Sequence, residues 1–152
     1  MLKERPVILC IGCEKVSGDM LGPLVGSILS DDFSIDAYVY GTLVKPVNGV
    51  NIGKYINLIS NLHNKGIIIS VDAAVGGKDE IGKIKLKDDG VIAGAALGRK
   101  NKVEGIGIVG VVAENKGDIM NNLLSSDYKL VEKLGRKIAS MIYKSVNQVV
   151  KQ

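Results

Sequence analysis

Two aspartates that follow predicted buried strands are the residues of this chain best placed to do chemistry. Asp19 lies in a glycine-rich loop at the start of a predicted helix, and Asp72 ends an apolar segment at residues 67–71. Two nearby carboxylates do not readily both ionise, so one pKa rises and the pair can share a proton. One member could then activate water while the other protonates a substrate oxygen, as in aspartic proteases. Alternatively, the pair could help to hold a metal ion.

Each aspartate also has a structural interpretation. An aspartate near a helix start often caps that helix, and one at the end of a buried strand often anchors a loop by accepting backbone N–H groups. For Asp19 the structural and the functional interpretations both stand. The position of Asp72 favours a site, because sites in doubly wound sheets collect at strand ends.

The apolar pattern predicts the elements that would bring the two aspartates together. Three segments predict strands, at residues 7–11, 35–40 and 67–71, and the first and third of them are expected to be buried. Two segments with helical spacing lie between them, at residues 21–29 and 52–62. The order β-α-β-α-β calls for a parallel sheet with right-handed crossovers. If the second and third strands flank the first, Asp19 and Asp72 share one crevice at the sheet edge.

The second half of the chain follows a different pattern. Lysines alternate with apolar residues at residues 83–87, which predicts an edge strand with one wet face. Residues 91–102 are rich in glycine and alanine and are predicted to form a mobile loop. A last apolar strand is predicted at residues 106–112, and a long helix at residues 130–146. Ser125, Ser126 or Asp127 could cap that helix.

Composition and charge narrow the class of protein. A length of 152 residues predicts one domain, and no apolar run is long enough to span a bilayer. The charged start, Met-Leu-Lys-Glu-Arg-Pro, does not resemble a signal peptide, so a cytoplasmic location is expected. The net charge of +4 is spread along a chain with no Trp and one Phe, which does not favour a nucleic-acid stacking platform. Neither nucleic acid nor a membrane is therefore an expected partner.

Three further patterns are weak signals. Cys10 and Cys13 form a Cys-x-x-Cys, but a zinc site would need a second pair or histidines, and Cys10 falls inside a predicted strand. The glycines at residues 105–110 spell a dinucleotide fingerprint within a strand, without the helix that must follow it. The basic residues Arg99, Lys100 and Lys102 are typical of a solvated loop, although they could grip an acidic substrate. No cofactor is expected.

Four motifs carry a resemblance to a known family. They are Cys-Ile-Gly at residues 10–12, Ser-Gly-Asp-Met-Leu-Gly-Pro-Leu-Val-Gly at 17–26, Tyr-Gly-Thr-Leu at 40–43 and Val-Asp-Ala at 71–73. They resemble the YyaC-type sporulation proteins of spore-forming bacteria, a family similar in turn to spore germination protease and hydrogenase maturation protease. Segments 94–98 and 107–110 extend the match over most of the chain. The resemblance implies a single three-layer α/β/α domain over residues 1–152, phosphorylase/hydrolase-like, with a mainly parallel sheet.

The same resemblance implies a sporulation-associated endopeptidase-like hydrolase of the mother cell or forespore cytoplasm. Asp19 and Asp72 fall on the catalytic aspartates of the germination protease motifs Asp-x-Leu-Gly-Pro and Ile-Asp-Ala. Thr42, Asn48 and the loop from Gly94 to Gly98 are expected to line the cleft around a protein or peptide substrate. A catalytically silent peptide-binding or protein-binding role in sporulation is the alternative.

Departures from the family pattern bear on a third possibility, a metal-dependent maturation protease. Hydrogenase maturation proteases add a histidine to the two carboxylates to engage nickel on their substrate. The histidine often found after the Gly-Thr-Leu loop is Asn48 here, and the family's Thr-Asp-Arg is Cys-Glu-Lys at residues 13–15. The sole histidine, His63, is predicted at the opposite end of the sheet and facing solvent, so no metal site is expected.

Overall fold

Five strands form the central sheet of the computed structural model, which describes residues 4–150. They are β1 (Val7–Cys10), β2 (Tyr38–Tyr40), β3 (Ile68–Gly76), β4 (Ile84–Lys87) and β7 (Ile106–Glu114). Their order across the sheet is β2–β1–β3–β7–β4. All neighbours are parallel except β4, which pairs antiparallel with β7 at the edge. The predicted mainly parallel sheet and lysine-rich edge strand are confirmed, and β2 and β3 flank β1, which is the condition under which the two aspartates share a crevice.

Helices cover both faces of the sheet. On one face lie α1 (Leu21–Ser27), continued by a wider turn at Ile28–Asp32, and α4 (Tyr128–Val150); on the other lies α2 (Ile52–Leu62). A short helix that the pattern did not predict, α3 (Ile119–Leu124), follows β7. Pro23 lies in the first turn of α1, where its missing N–H needs no partner. No helix in the described part of the chain combines the length and apolar character needed to cross a membrane.

Strand β1 is buried on both faces and therefore joins two cores. Ile8 and Cys10 face α1 and α4, where Val25 and Ile138 are fully buried. The intervening β1 residues face α2 on the other side. This alternation explains why the sequence of β1 is apolar throughout rather than at every second position.

The prediction of a loop at residues 91–102 is wrong. The chain forms a hairpin of β5 (Val91–Ala93) and β6 (Asn101–Val103), joined through a 3₁₀ turn at Ala95–Leu97. Val91 and Ala93 are buried against the α2 face while Ile92 is exposed, but alternation over three residues is too short to predict a strand.

Two element boundaries depend on local hydrogen bonds. The second strand begins at residue 38 rather than 35, because the N–H of Ile35 donates back to the carbonyl of Leu29. At the start of α4, Oδ1 of Asp127 accepts from the N–H of Lys129, so Asp127 is the capping residue. The Ser126 hydroxyl instead bonds the carbonyl of Val112 on β7.

Candidate active site

Asp19 and Asp72 line one cleft of about 210 Å³ that lies beyond the carboxyl end of β1 and beside the middle of β3. The two strands pair in parallel with Cys10 opposite Val71, so Asp72 lies beside the start of the loop that carries Asp19. The predicted end of the third strand at residue 71 is wrong, because pairing with β7 continues β3 to Gly76 and places Asp72 within the strand. A parallel sheet places its sites at this edge, where the strand order changes direction. The crevice predicted from the strand order is present and contains both carboxylates.

The loop after β1 folds back on itself to position Asp19. The N–H of Cys13 donates to Oδ2 of Asp19 at 3.0 Å and to its backbone carbonyl at 3.0 Å. A Cβ on Gly12 would overlap that carbonyl oxygen, so the turn requires glycine there. The Asp19 side chain caps neither the 3₁₀ turn at Gly18–Met20 nor α1. Asp19 therefore anchors its own loop rather than a helix end.

Asp72 is almost completely buried and accepts two backbone hydrogen bonds. Its Oδ1 accepts from the N–H of Ala73 at 2.9 Å, and its Oδ2 from the N–H of Gly94 at 3.0 Å. Only 3% of the residue is exposed. The loop-anchoring role considered for Asp72 is thus present, and the same carboxyl group lies on the wall of the cleft.

Burial raises the pKa of both carboxyl groups by different amounts. Burial raises the pKa of Asp19 to about 6, against the opposing effects of the Cys13 hydrogen bond and the Arg99 charge. For Asp72, complete burial is the main cause of a pKa of about 8; the Gly94 hydrogen bond opposes it and the charge of Asp19 adds to it. Between about pH 6 and pH 8 the pair therefore holds one proton, chiefly on Asp72.

Residues 1–145 match a family model described as "Protein of unknown function (DUF1256)". The chain belongs to this family. A curated relative is the uncharacterized protein YyaC of Bacillus subtilis (strain 168), 40% identical over 91 residues. The match covers 60% of this chain and 44% of the relative, so the chain spans less than half of that protein's length.

Solved structures with this fold carry different activities in their names. A [NiFe] hydrogenase maturation protease, HycI from Thermococcus kodakarensis KOD1, superposes with a TM-score of 0.59 at 18% identity, covering 95% of this chain and 94% of that chain. A peptidyl-tRNA hydrolase in complex with N-propanol superposes with a TM-score of 0.67 at 12% identity, covering 99% and 92%. At these identities the likeness shows the fold, and the function of this DUF1256 member must be argued from its own residues.

Of the other predicted site residues, two line the cleft and two do not. Asn48 and Gly94 are on its wall. Thr42 lies outside it, because its hydroxyl accepts from the N–H of Lys45 and closes an exposed turn. Gly98 also lies outside it, directly after the 3₁₀ turn at Ala95–Leu97.

The sequence did not single out several residues of the cleft wall. Val50 and Met120 form an apolar rim, with 93% and 41% of each residue exposed. Met120 comes from the unpredicted α3, although the cap of that helix, Asp118 accepting from Asn121, was a usable signal. Arg99 also lines the cleft, whereas Lys100 and Lys102, the other basic residues of the same segment, do not.

His63 is absent from the cleft wall, as predicted, but it does not face solvent. Only 6% of the residue is exposed, and Nε2 lies 2.7 Å from the Tyr40 hydroxyl oxygen. Its ring packs against Tyr38 with 4.5 Å between centroids. The predicted solvent-facing position is wrong because two tyrosines of β2, pointing to the α2 face, cover the imidazole.

The cleft residues do not fit a three-ligand site for substrate-bound nickel. Oδ1 of Asn48, at the expected histidine position, accepts from the N–H groups of Val50 and Asn51 at 3.0 and 3.3 Å. That oxygen closes a turn before α2 and is not free to point at the aspartates. Within residues 4–150 no three His, Cys, Asp or Glu side chains are grouped to hold a metal ion.

Proposed function

We propose that this protein is an endopeptidase-like hydrolase that uses Asp19 and Asp72 to activate water against a peptide bond. The observation that carries the proposal is the pair itself. A half-buried carboxyl group from the loop after β1 and a buried one within β3 line one cleft, and their different burial gives pKa values of about 6 and about 8. Carboxyl pairs whose environments separate their pKa values in this way are suited to acid and base roles.

The different pKa values of the two carboxyl groups indicate which acts as the base and which as the acid. Asp19, ionised above about pH 6, would take a proton from water as the water oxygen attacks the peptide carbonyl carbon. Asp72, still protonated below about pH 8, would donate its proton to the carbonyl oxygen. The resulting gem-diol collapses when Asp19 returns its proton to the amide nitrogen, the C–N bond breaks, and a diol hydroxyl reprotonates Asp72.

The shape of the cleft supports a peptide or protein substrate. Its rim exposes Val50 and Met120 to solvent, and exposed apolar groups beside a polar site favour apolar substrate side chains. The motif resemblance supplies the setting, the cytoplasm of a sporulating cell. The substrate would then be another protein of that compartment.

The test is a survey of new protein N-termini. A lysate of sporulating cells lacking this protein is incubated with the wild type, with Asp19→Asn, with Asp72→Asn and with Asp88→Asn, an exposed aspartate outside the cleft. New N-termini with the wild type and Asp88→Asn, absent with the two cleft variants, support the proposal and name the substrates. Circular dichroism establishes that every variant is folded.

Two other outcomes would decide against it. Identical N-termini with all four proteins would leave the aspartates as anchors of a catalytically silent peptide-binding or protein-binding cleft. Cleavage that appears only when nickel is supplied with the substrate would favour a metal-dependent maturation protease, against the geometry of Asn48.

A further inference from the structure

The side chain of Arg99 lies along the cleft between two loops, in space that two glycines leave open. A Cβ on Gly94 would lie 2.7 Å from Cδ of Arg99, and a Cβ on Gly49 would overlap its Cζ. The aliphatic part of Arg99 therefore packs on Gly94 and its guanidinium packs on Gly49. Arg99 thus connects the β5–β6 hairpin with the turn before α2, and it lines the cleft together with both aspartates.

Arg99 is the only cation among the residues that line this cleft, whose other ionisable side chains are Cys13, Asp19 and Asp72. The elements packed against Asp19 contribute little further charge: α1 and α3 carry no charged residue, and β3 contributes Asp72. Glu14 and Lys15 of the same loop, and the charged residues of α4, do not line the cleft. No ion pair within 4.0 Å joins Arg99 to Asp19 in the described chain. The guanidinium therefore acts through space.

We propose that Arg99 is a positioning residue for the aspartate pair: its guanidinium, held on Gly49, favours the charged form of Asp19 and so keeps the shared proton on Asp72. The inference rests on the proposed function for its catalytic meaning, but the location of the proton can be measured without any substrate. A cation near one member of a coupled pair biases which member ionises first.

The chain offers matched variants that separate charge from position. Arg99→Gln removes the charge, and Lys100→Gln removes the same charge one residue later, outside the cleft. Gly49→Ala leaves every charge in place but puts a methyl group where the guanidinium lies, and the flexible end of Arg99 must move. Gly53→Ala adds the same methyl group on α2, where no atom lies within 4 Å. Arg99→Lys keeps the positive charge but lacks the planar guanidinium, so it tests whether charge alone preserves the effect on Asp19.

The experiment is a carbon-detected NMR titration of the aspartate carboxyl groups from about pH 4 to about pH 10, a range that spans ordinary and strongly raised carboxyl values. We expect the apparent pKa of Asp19 to rise by about 0.5 or more in Arg99→Gln, because the variant removes one unit of positive charge from the same cleft. Gly49→Ala should shift it in the same direction, Arg99→Lys should restore part of the wild-type value, and both controls should match the wild type.

An unchanged Asp19 titration in Arg99→Gln, or an equal shift in Lys100→Gln, would overturn the inference. Either result would leave the proposed peptidase function standing. Conversely, the Asp19 pKa could shift in Arg99→Gln while the wild-type protein generates no new N-termini. That combination would support the role of Arg99 and refute the proposed function. For an active enzyme, Arg99→Gln should lower the cleavage rate at about pH 6 more than at about pH 7.5, since Asp19 then needs a higher pH to ionise.

Discussion

The N–H of Gly94 donates a 3.0 Å hydrogen bond to Oδ2 of Asp72 and so ties the β5–β6 hairpin to the middle of β3. Asp72 therefore lines the cleft and also accepts the hydrogen bond that holds Gly94, another residue of the cleft wall, in place. Because burial raises the pKa of this carboxyl group to about 8, the stability of the fold depends on the same proton that the proposed reaction uses.

We expect the free energy of unfolding to fall as the pH rises from about 6 to about 8, an unusual direction for an aspartate. The folded pKa of Asp72, about 8, lies above its ordinary value of 3.8, so the folded state binds the proton more tightly. The stabilisation is complete below about pH 4 and is lost as the pH passes through the folded value. The slope contributed by one such group is at most about 1.4 kcal/mol per pH unit.

Urea unfolding at a series of pH values measures this slope. Asp72→Asn should flatten it between about pH 6 and pH 8, whereas Asp88→Asn, on an exposed turn, should leave it unchanged. The amide nitrogen that Asp72→Asn introduces cannot accept a backbone N–H, so this variant should also lose about 1–3 kcal/mol at pH 5. If the free energy of unfolding of Asp72→Asn depends on pH as steeply as that of the wild type, the titrating group is a residue other than Asp72.

Gly94→Ala should destabilise the protein more than Gly98→Ala. Both glycines have a left-handed backbone, with φ values of +69° and +77°, so alanine costs about 1 kcal/mol at either position. At Gly94 the added methyl group also meets Arg99, and the N–H bonded to Asp72 is at risk of moving. At Gly98 nothing lies within 4 Å. Denaturant midpoints compare the two, and equal losses would mean that the Asp72 contact tolerates displacement.

The placement of Asp19 and Asp72 in one cleft could be predicted on the condition that β2 and β3 flank β1, because the apolar runs in β1 and β3 indicate burial on both faces. β1 is apolar throughout, β3 is apolar apart from Ser70, Asp72 and its last glycine, and α2 shows one apolar stripe. These patterns leave few topologies for a βαβ chain. Once β1 and β3 are neighbours, the loop after β1 must lie beside the segment that carries Asp72, although β3 itself continues to Gly76.

Features that depend on distant contacts could not be predicted in this way. The position of Arg99 is set by the absence of a side chain at Gly49, fifty residues earlier, and no local pattern records that relationship. His63 is buried because Tyr40 supplies a hydrogen-bond partner from another strand. The strands of the hairpin are three residues long, below the length at which periodicity distinguishes a strand from a loop.

The two thiols should differ in reactivity despite their Cys-x-x-Cys spacing. Cys10 is fully buried, and burial raises the pKa of its thiol far above the ordinary range. Cys13 is partly exposed on the cleft wall. A thiol reagent should therefore modify one cysteine per folded chain, and Cys13→Ser should abolish the fast reaction. Rapid labelling of both thiols in native protein would contradict the burial of β1.

Tyr40→Phe should destabilise the fold by about 1 kcal/mol, because it leaves Nε2 of the buried His63 without its partner. His63 is the only histidine in the chain, so its imidazole proton signals are unambiguous in an NMR titration. Burial lowers the pKa of His63, and its stabilising contribution is therefore present above about pH 6.5 and lost as the pH falls toward the folded value. A wild-type imidazole with a pKa at or above the ordinary histidine value would show that solvent reaches the ring. That result would contradict the burial of His63 beneath Tyr38 and Tyr40.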